Sequence, residues 1–241
     1  MRIAILSDIH GNHEALQAVL DDLNRHDIHS VFCLGDLIGY GPDPDAVALA
    51  VRDREIETVM GNHELGTMDP SQMRWFNPPA RESLKITAGM LSKASLDFIA
   101  TLKPSLVRFG CRFVHGFPLD SVKTYAFAVT DNRMCNTFNA MPENICFIGH
   151  THLLEIIDFD GQKLSRTPLP KGITRLSPDR RYIINIGSVG QPRDGNHDAK
   201  YVIYDAENLT VDLRYIAYDI DAVVRKIIAA GLPEVHAKRL R

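Results

Sequence analysis

A chain of 241 residues with 45% hydrophobic and 24% charged residues has the composition of an ordinary globular protein, long enough for a substantial core and free of low-complexity segments. A formal net charge of -3 excludes a general nucleic-acid binder working through bulk electrostatics, so no stable nucleic-acid partner is expected, though a nucleotide substrate remains open. No run approaches the ~18 apolar residues of a membrane span, and Cys33, Cys111, Cys135 and Cys146 lack C-x-x-C spacing, which reads as buried thiols in a reducing cytoplasm.

Arg2–Leu6 reads as a buried parallel strand, entered directly from Met1 without a signal peptide. It ends in Ser7-Asp8-Ile9-His10-Gly11-Asn12, where Asp8 and His10, two apart in nearly extended chain, project to the same side. Asn12 caps a helix whose apolar stripe is Ala15, Leu16, Val19, Leu20 and Leu23. Ser30–Leu34 is a second strand, ending in the glycine-rich loop Gly35-Asp36-Leu37-Ile38-Gly39-Tyr40-Gly41-Pro42. Asp43 and Pro44 start another helix through Val51, and Glu55–Met60 is a third strand ending in Gly61-Asn62-His63-Glu64. Right-handed crossovers in this βαβαβ unit place all three strand ends on one sheet edge, where open α/β sheets bind ligands.

From Leu65 to Pro104 the rhythm breaks into a polar loop with Trp75 and Phe76, then helices near Arg81–Met90 and Lys93–Leu102. This insertion, about 65–104, is either a rim or lid over the site or plain core-covering helices. Gly110 turns a hairpin between Leu106–Phe109 and Arg112–His115, and Asp160-Gly161 closes Leu154–Phe159 into another. Between them lie a Thr130-capped helix and the buried strand Asn144–Ile148, which ends in Gly149-His150-Thr151-His152. Strands at Tyr182–Ile186, Tyr201–Tyr204 and Val211–Ile216 precede a helix over Ile220–Ala230, and the basic tail Lys238–Arg241 reads as a frayed, solvated end. Two largely apolar sheets flanked by helices predict an α/β (α+β layered) fold, a four-layer α/β/β/α sandwich spanning 1–241 as one domain.

The polar residues that terminate these strands are Asp8, His10, Asp36, Asn62, His63, His115, His150 and His152, and they include five of the ten histidines. Each alone has a dull reading as a satisfied polar residue; together they would have to fall by chance on the same kind of strand end. Their order, Asp8-Ile9-His10, Gly35-Asp36, Gly61-Asn62-His63-Glu64, His115-Gly116 and Gly149-His150-Thr151-His152, resembles the signature blocks of the calcineurin-like metallophosphoesterase superfamily, over roughly residues 1–200. Asn185–Arg193 is also similar to the terminal block of its small prokaryotic phosphodiesterase branch, with Ile186 where that branch commonly carries proline.

The resemblance implies a dinuclear site. Asp8, His10 and His152 would bind one divalent metal, Asn62, His115 and His150 the other, and Asp36 would bridge them. A neutral imidazole and carboxylate set without thiolates suits manganese foremost, with iron, zinc or nickel as alternatives. A hydroxide bridging the two metals would attack phosphorus in line. By the same resemblance His63 would be the catalytic acid at the leaving oxygen and, with Asn62, would contact substrate. Arg193 is a further candidate for phosphate contact, and His13 is expected at the surface. Protein phosphatases of the family carry an arginine in G-D-x-x-D-R-G where this chain has Tyr40. Tyrosine cannot grip a monoester dianion bidentately, so a small diester or nucleotide-like substrate is expected over a phosphomonoesterase or protein phosphatase. A non-catalytic metal-binding scaffold for a protein partner is the reading from another class, and it normally lacks ligands that this chain retains.

Overall fold

The computed structural model describes residues 1–241. Alternation along β1 (Arg2–Leu6) sets the architecture: Ile3 and Ile5 face one core, Ala4 and Leu6 another. β1 is followed by α1 (His13–Leu23), β2 (Ser30–Cys33), α2 (Pro44–Asp53) and β3 (Glu57–Thr58), and the three strands are parallel, as the βαβαβ pattern predicts. The Asn12 side chain caps α1 by accepting from the Ala15 amide. β3 is shorter than the expected Glu55–Met60 strand, because Glu55 adopts a left-handed φ of 53° and Val59 pairs instead with Lys103 across an isolated bridge.

The segment expected to open as a polar loop begins as a helix, α3 (Asn62–Met68), followed by a 3-10 turn over Pro70–Trp75, α4 (Pro78–Ala88) and α5 (Lys93–Ile99). The hairpin of β4 (Ser105–Arg108) and β5 (Cys111–Val114) turns at Phe109 and Gly110, both at positive φ. Then come α6 (Asp131–Ala140), β6 (Ile145–Ile148), β7 (Leu154–Phe159), β8 (Leu164–Pro168), β9 (Gly172–Arg175), β10 (Arg181–Ile186), β11 (Ala199–Asp205), β12 (Thr210–Ile216), α7 (Ile220–Ala229) and α8 (Glu234–Lys238). β9, whose side chains alternate between half-buried and exposed, carried no apolar signal in the sequence.

One mixed sheet has the order β3-β2-β1-β11-β12-β9 and the other β4-β5-β6-β10-β7-β8. Ile3, Ile5, Phe32, Phe113, Phe147, Ile184 and Val202 fill the space between them. Ala4, Leu6, Cys33 and Tyr201 face α1 and α2, while Val114, Cys146, Ile148 and Ile183 face Met134 and Phe138 of α6. These are the four layers expected, helix, sheet, sheet, helix.

The C-terminal tail is not the frayed end its basic composition suggested. His236, Ala237 and Leu240 are buried with Val223, Val224, Ile227 and Leu232. Ala237 and Leu240 dock it, and Lys238, Arg239 and Arg241 are exposed. No helix is long and apolar enough to cross a membrane.

Candidate metal centre

The parallel strands β1, β2 and the short β3 end together, and the loops that follow them are laced by backbone hydrogen bonds. Asp8 N donates to Gly35 O at 3.0 Å, His10 N to Asp36 O at 2.9 Å, and Gly149 N to His115 O at 2.9 Å. Val189 N and Gly190 N donate to the carbonyls of Ser7 and Asp8, so the Asn185–Arg193 block closes over the first loop. This packing holds unusual backbone: Asp8, His10, Asp36, His150 and His152 all have φ between 50° and 66°. Such left-handed non-glycine residues cost of order 1–3 kcal/mol each and persist only where surrounding contacts over-determine them. A Cβ on Gly190 would lie 1.7 Å from the Ile9 carbonyl, so only glycine permits the close approach of these two loops.

Seven sequence-predicted residues converge here. Asp8, His10 and His152 form one group of donor atoms, and Asp36, His115 and His150 another. Asn62 joins the second group with its Oδ1 3.0 Å from His115 Nε2. Asp36 stands between the groups, its Oδ2 3.2 Å from His115 Nε2 and 3.7 Å from His10 Nε2. A third grouping, His10, Asp36 and His63, overlaps both.

Each imidazole of the two groups directs its outer nitrogen at a backbone carbonyl. His10 Nδ1 meets Ile38 O at 3.0 Å, His152 Nδ1 meets Gln191 O at 2.5 Å, His115 Nδ1 meets Leu34 O at 2.8 Å, and His150 Nε2 meets Lys123 O at 3.2 Å. A carbonyl only accepts, so those nitrogens carry a proton and the other nitrogen of each ring faces inward, with a free lone pair wherever the ring is neutral. With both rings in the neutral form, His10 Nε2 and His152 Nε2 face each other at 3.1 Å without a proton between them, beside Asp8 Oδ1, which is buried and has no hydrogen-bond partner. Three acceptors around one point, with no donor, fit a cation.

The electrostatics agree. Burial drives His150 down to about 3 and His152 down to about 4, so both are neutral. Burial would also lower His115, but the charge and hydrogen bond of Asp36, with the charges of Asp8 and Glu64, together outweigh it and lift the group to about 9. Asp36 answers in the opposite sense: burial would raise it, yet the charge and hydrogen bond of His115, with the charges of His63 and His10, together hold it far below the usual carboxylate range. A proton at His115 is thus the stand-in for positive charge that the second group calls for.

Several residues that hold this geometry carried no assigned role in the sequence. Glu64, buried on α3, accepts from four backbone amides: Asp36 and Gly61 at 2.8 and 2.9 Å on Oε2, Leu37 and Ile38 at 2.8 and 3.3 Å on Oε1. Burial, then the charge of Asp36, pushes it up to about 7, while the amides favour the anion. Ser7 Oγ donates to Asp8 Oδ2 at 2.5 Å, and Ser188 Oγ donates to Asp8 O at 2.8 Å while accepting from Gln191 N at 2.8 Å. Asn12, expected only to cap α1, also donates from Nδ2 to Gly190 O at 2.9 Å. Ser188 and Gln191 lie in the terminal block that the sequence singled out; Ser7 and Glu64 lie inside its motifs.

His63 is 1% exposed, with Nε2 3.9 Å from Asp36 Oδ2 and an unpartnered Nδ1 beneath Gly39. Burial depresses its pKa well below the ordinary value, so it is neutral. Tyr40 packs on His10 and His63 with ring centroids 4.3 and 4.6 Å apart, and burial raises its hydroxyl to about 12. His236 of the C-terminal tail lies on the same tyrosine at 4.6 Å. Arg193 is exposed at the rim, bonded to Gln191 Oε1 at 3.1 Å, with its charge acting on Tyr40 and His152. His13 belongs to none of the donor groups and is half-buried, not fully at the surface.

The calcineurin-like phosphoesterase superfamily domain matches residues 1–209. An uncharacterized protein of Methanocaldococcus jannaschii is 33% identical over 99% of this chain and 96% of its own length. The crystal structure of a metallophosphoesterase from Sphaerobacter thermophilus superposes with a TM-score of 0.85 at 32% identity, covering 100% of this chain and 98% of that one. A hypothetical protein from Pyrococcus horikoshii OT3 shares the fold with a TM-score of 0.81 at 20% identity, covering 99% and 97%. Five motif blocks in order, a layered fold that brings them to one edge, and a domain match over most of the length agree: the chain belongs to the calcineurin-like phosphoesterase superfamily.

Proposed function

We propose that this protein is a metal-dependent phosphoester hydrolase that takes two divalent cations and acts on a small diester or nucleotide-like substrate. The observation that carries the reading is the acceptor-only group of Asp8 Oδ1, His10 Nε2 and His152 Nε2, whose facing lone pairs are accounted for by a cation. Asp8, His10 and His152 would hold one ion, Asn62, His115 and His150 the other, and Asp36 both. Imidazole, carboxylate and amide oxygen without thiolate suit manganese, iron, zinc or nickel in an open site. Divalent cations bound there lower the pKa of an attacking water and offset charge on the phosphoryl oxygens.

The chain's own residues supply the rest. Asn62 borders the phosphoryl position; neutral His63 holds a proton near Asp36, within reach of a leaving oxygen; Arg193 guards the rim on the side of His152. Tyr40 supports the diester preference: it stands in place of the arginine of the phosphatases and offers no charge to a second phosphoryl anion. The test is hydrolysis of bis-p-nitrophenyl phosphate and p-nitrophenyl phosphate by protein reconstituted with each metal, with Asp36→Asn as the blank. Metal-stimulated hydrolysis favouring the diester is expected. A large preference for the monoester would overturn the substrate assignment, and no hydrolysis of either would overturn the enzyme.

A further inference from the structure

From Asn62 and His150 a cleft of about 540 Å³ runs outward between the 65–104 insertion and the loop carrying Tyr125. That volume is in the range of small-molecule sites and exceeds what a phosphoryl group requires. Its walls are aromatic. Tyr125 lies flat on His150, with ring centroids 4.0 Å apart and 11° between the planes, so a π-surface begins at the edge of the metal centre. On the opposite wall Phe76 sets its ring against His63 at 4.9 Å, and Trp75 beyond it is 65% exposed.

Lys123 reaches across the mouth, donating from Nζ to Gln72 Oε1 at 2.9 Å and standing 5.4 Å from the Trp75 ring centroid. The guanidinium of Arg74 stands 5.4 Å from the same ring. Exposed cation–π contacts of this kind are weaker than stacking of a base on an aromatic side chain, so they steady the indole without closing it to a ligand. Aromatic surface and an exposed cation beside a phosphoryl position match the parts of a nucleotide: a planar base, a sugar and an anionic ester.

We propose that this cleft is a nucleoside subsite, seating the base of a mononucleotide-sized phosphodiester against Trp75 and Phe76 while its phosphate lies at Asn62 and His150. The proposal rests on the hydrolase reading above. It places substrate selection in the insertion, on the ester group that is not expelled.

Two esters with the same p-nitrophenolate leaving group separate this from the chemistry: thymidine 5′-(p-nitrophenyl) phosphate and ethyl p-nitrophenyl phosphate, each given to the manganese-loaded protein. The thymidine ester should show a kcat/KM at least tenfold higher. Trp75→Ala should erase most of that advantage through KM and leave the ethyl ester within about twofold, and Trp75→Phe should restore it. Because Trp75 is the only tryptophan, adenosine monophosphate should quench the protein's tryptophan emission and ribose 5-phosphate should not. Equal rates on the two esters, with no quenching, would overturn the subsite and leave the hydrolase standing. No hydrolysis of either ester would overturn both readings.

Discussion

His63 is where two roles meet at a single side chain. Its Nε2 belongs to a donor grouping with His10 and Asp36, which a metal ligand would, yet its neutral ring packed beside the proposed phosphoryl position suits an acid. His63→Ala is expected to keep both metals and to lower kcat ~10²–10⁴-fold. Metal analysis of the variant decides the matter, since loss of one ion per chain would transfer His63 to the ligand set. Glu64 tests the scaffold in the same loop. In Glu64→Gln one amide oxygen has to serve four amide donors, and its NH₂ opposes the rest. With two buried donors left unpaired, a loss of about 2–6 kcal/mol in urea unfolding is expected. An unchanged midpoint would show that the four hydrogen bonds contribute little. All seven candidate ligands were legible because each ends a strand. The left-handed φ of five of them was not, since only the hydrogen bonds from neighbouring loops hold those residues there.

Among the elements, α1 is tied to the sheet behind it by one carboxylate. Asp22 on α1 accepts from Tyr201 Oη at 2.6 Å and from Arg214 Nε and Nη2 at 2.8 and 3.2 Å. Burial works to raise its pKa, but the hydrogen bonds of Arg214 and Tyr201 and the arginine's charge bring it below the ordinary value. A carboxylate depressed in the fold contributes stability that is present above its unfolded pKa, about 3.9, and is lost as pH falls through the folded value. Asp22→Asn should therefore be less stable than the parent at pH 7, with the gap closing below about pH 4. Unfolding midpoints at a series of pH values check it, and a gap that does not depend on pH would place the effect in shape alone. Patterning had found α1 and its apolar stripe, and equally α2 and α6. It missed α8, where Val235 and Ala237 are too few among charged residues to register, and β9, an edge strand with little to bury.

At the scale of the whole molecule, the site is assembled from loops of both sheets, so a metal that bridges them should bind the folded chain alone. Free metal at 100 times its dissociation constant adds about 2.7 kcal/mol per site. For a domain of this size that raises Tm by roughly 5–11 °C for each occupied site. Thermal melts after chelation and after adding manganese, iron, zinc or nickel measure it, and no shift with any of them would defeat the two-metal reading. The sequence by itself determined the order of most elements, the four layers and the set of polar residues at the strand ends, because periodicity, caps and turn residues act over a few positions. Only the tertiary structure decided which nitrogen of each imidazole faces inward. It also decided that Asp36 stands between the two groups and that the C-terminal tail packs on Tyr40. Those depend on partners far along the chain: the Ile38 carbonyl for His10 is 28 positions away, and the Ser188 hydroxyl for Asp8 is 180 away. No local pattern encodes such pairings, and it is they that turn five short motifs into one centre.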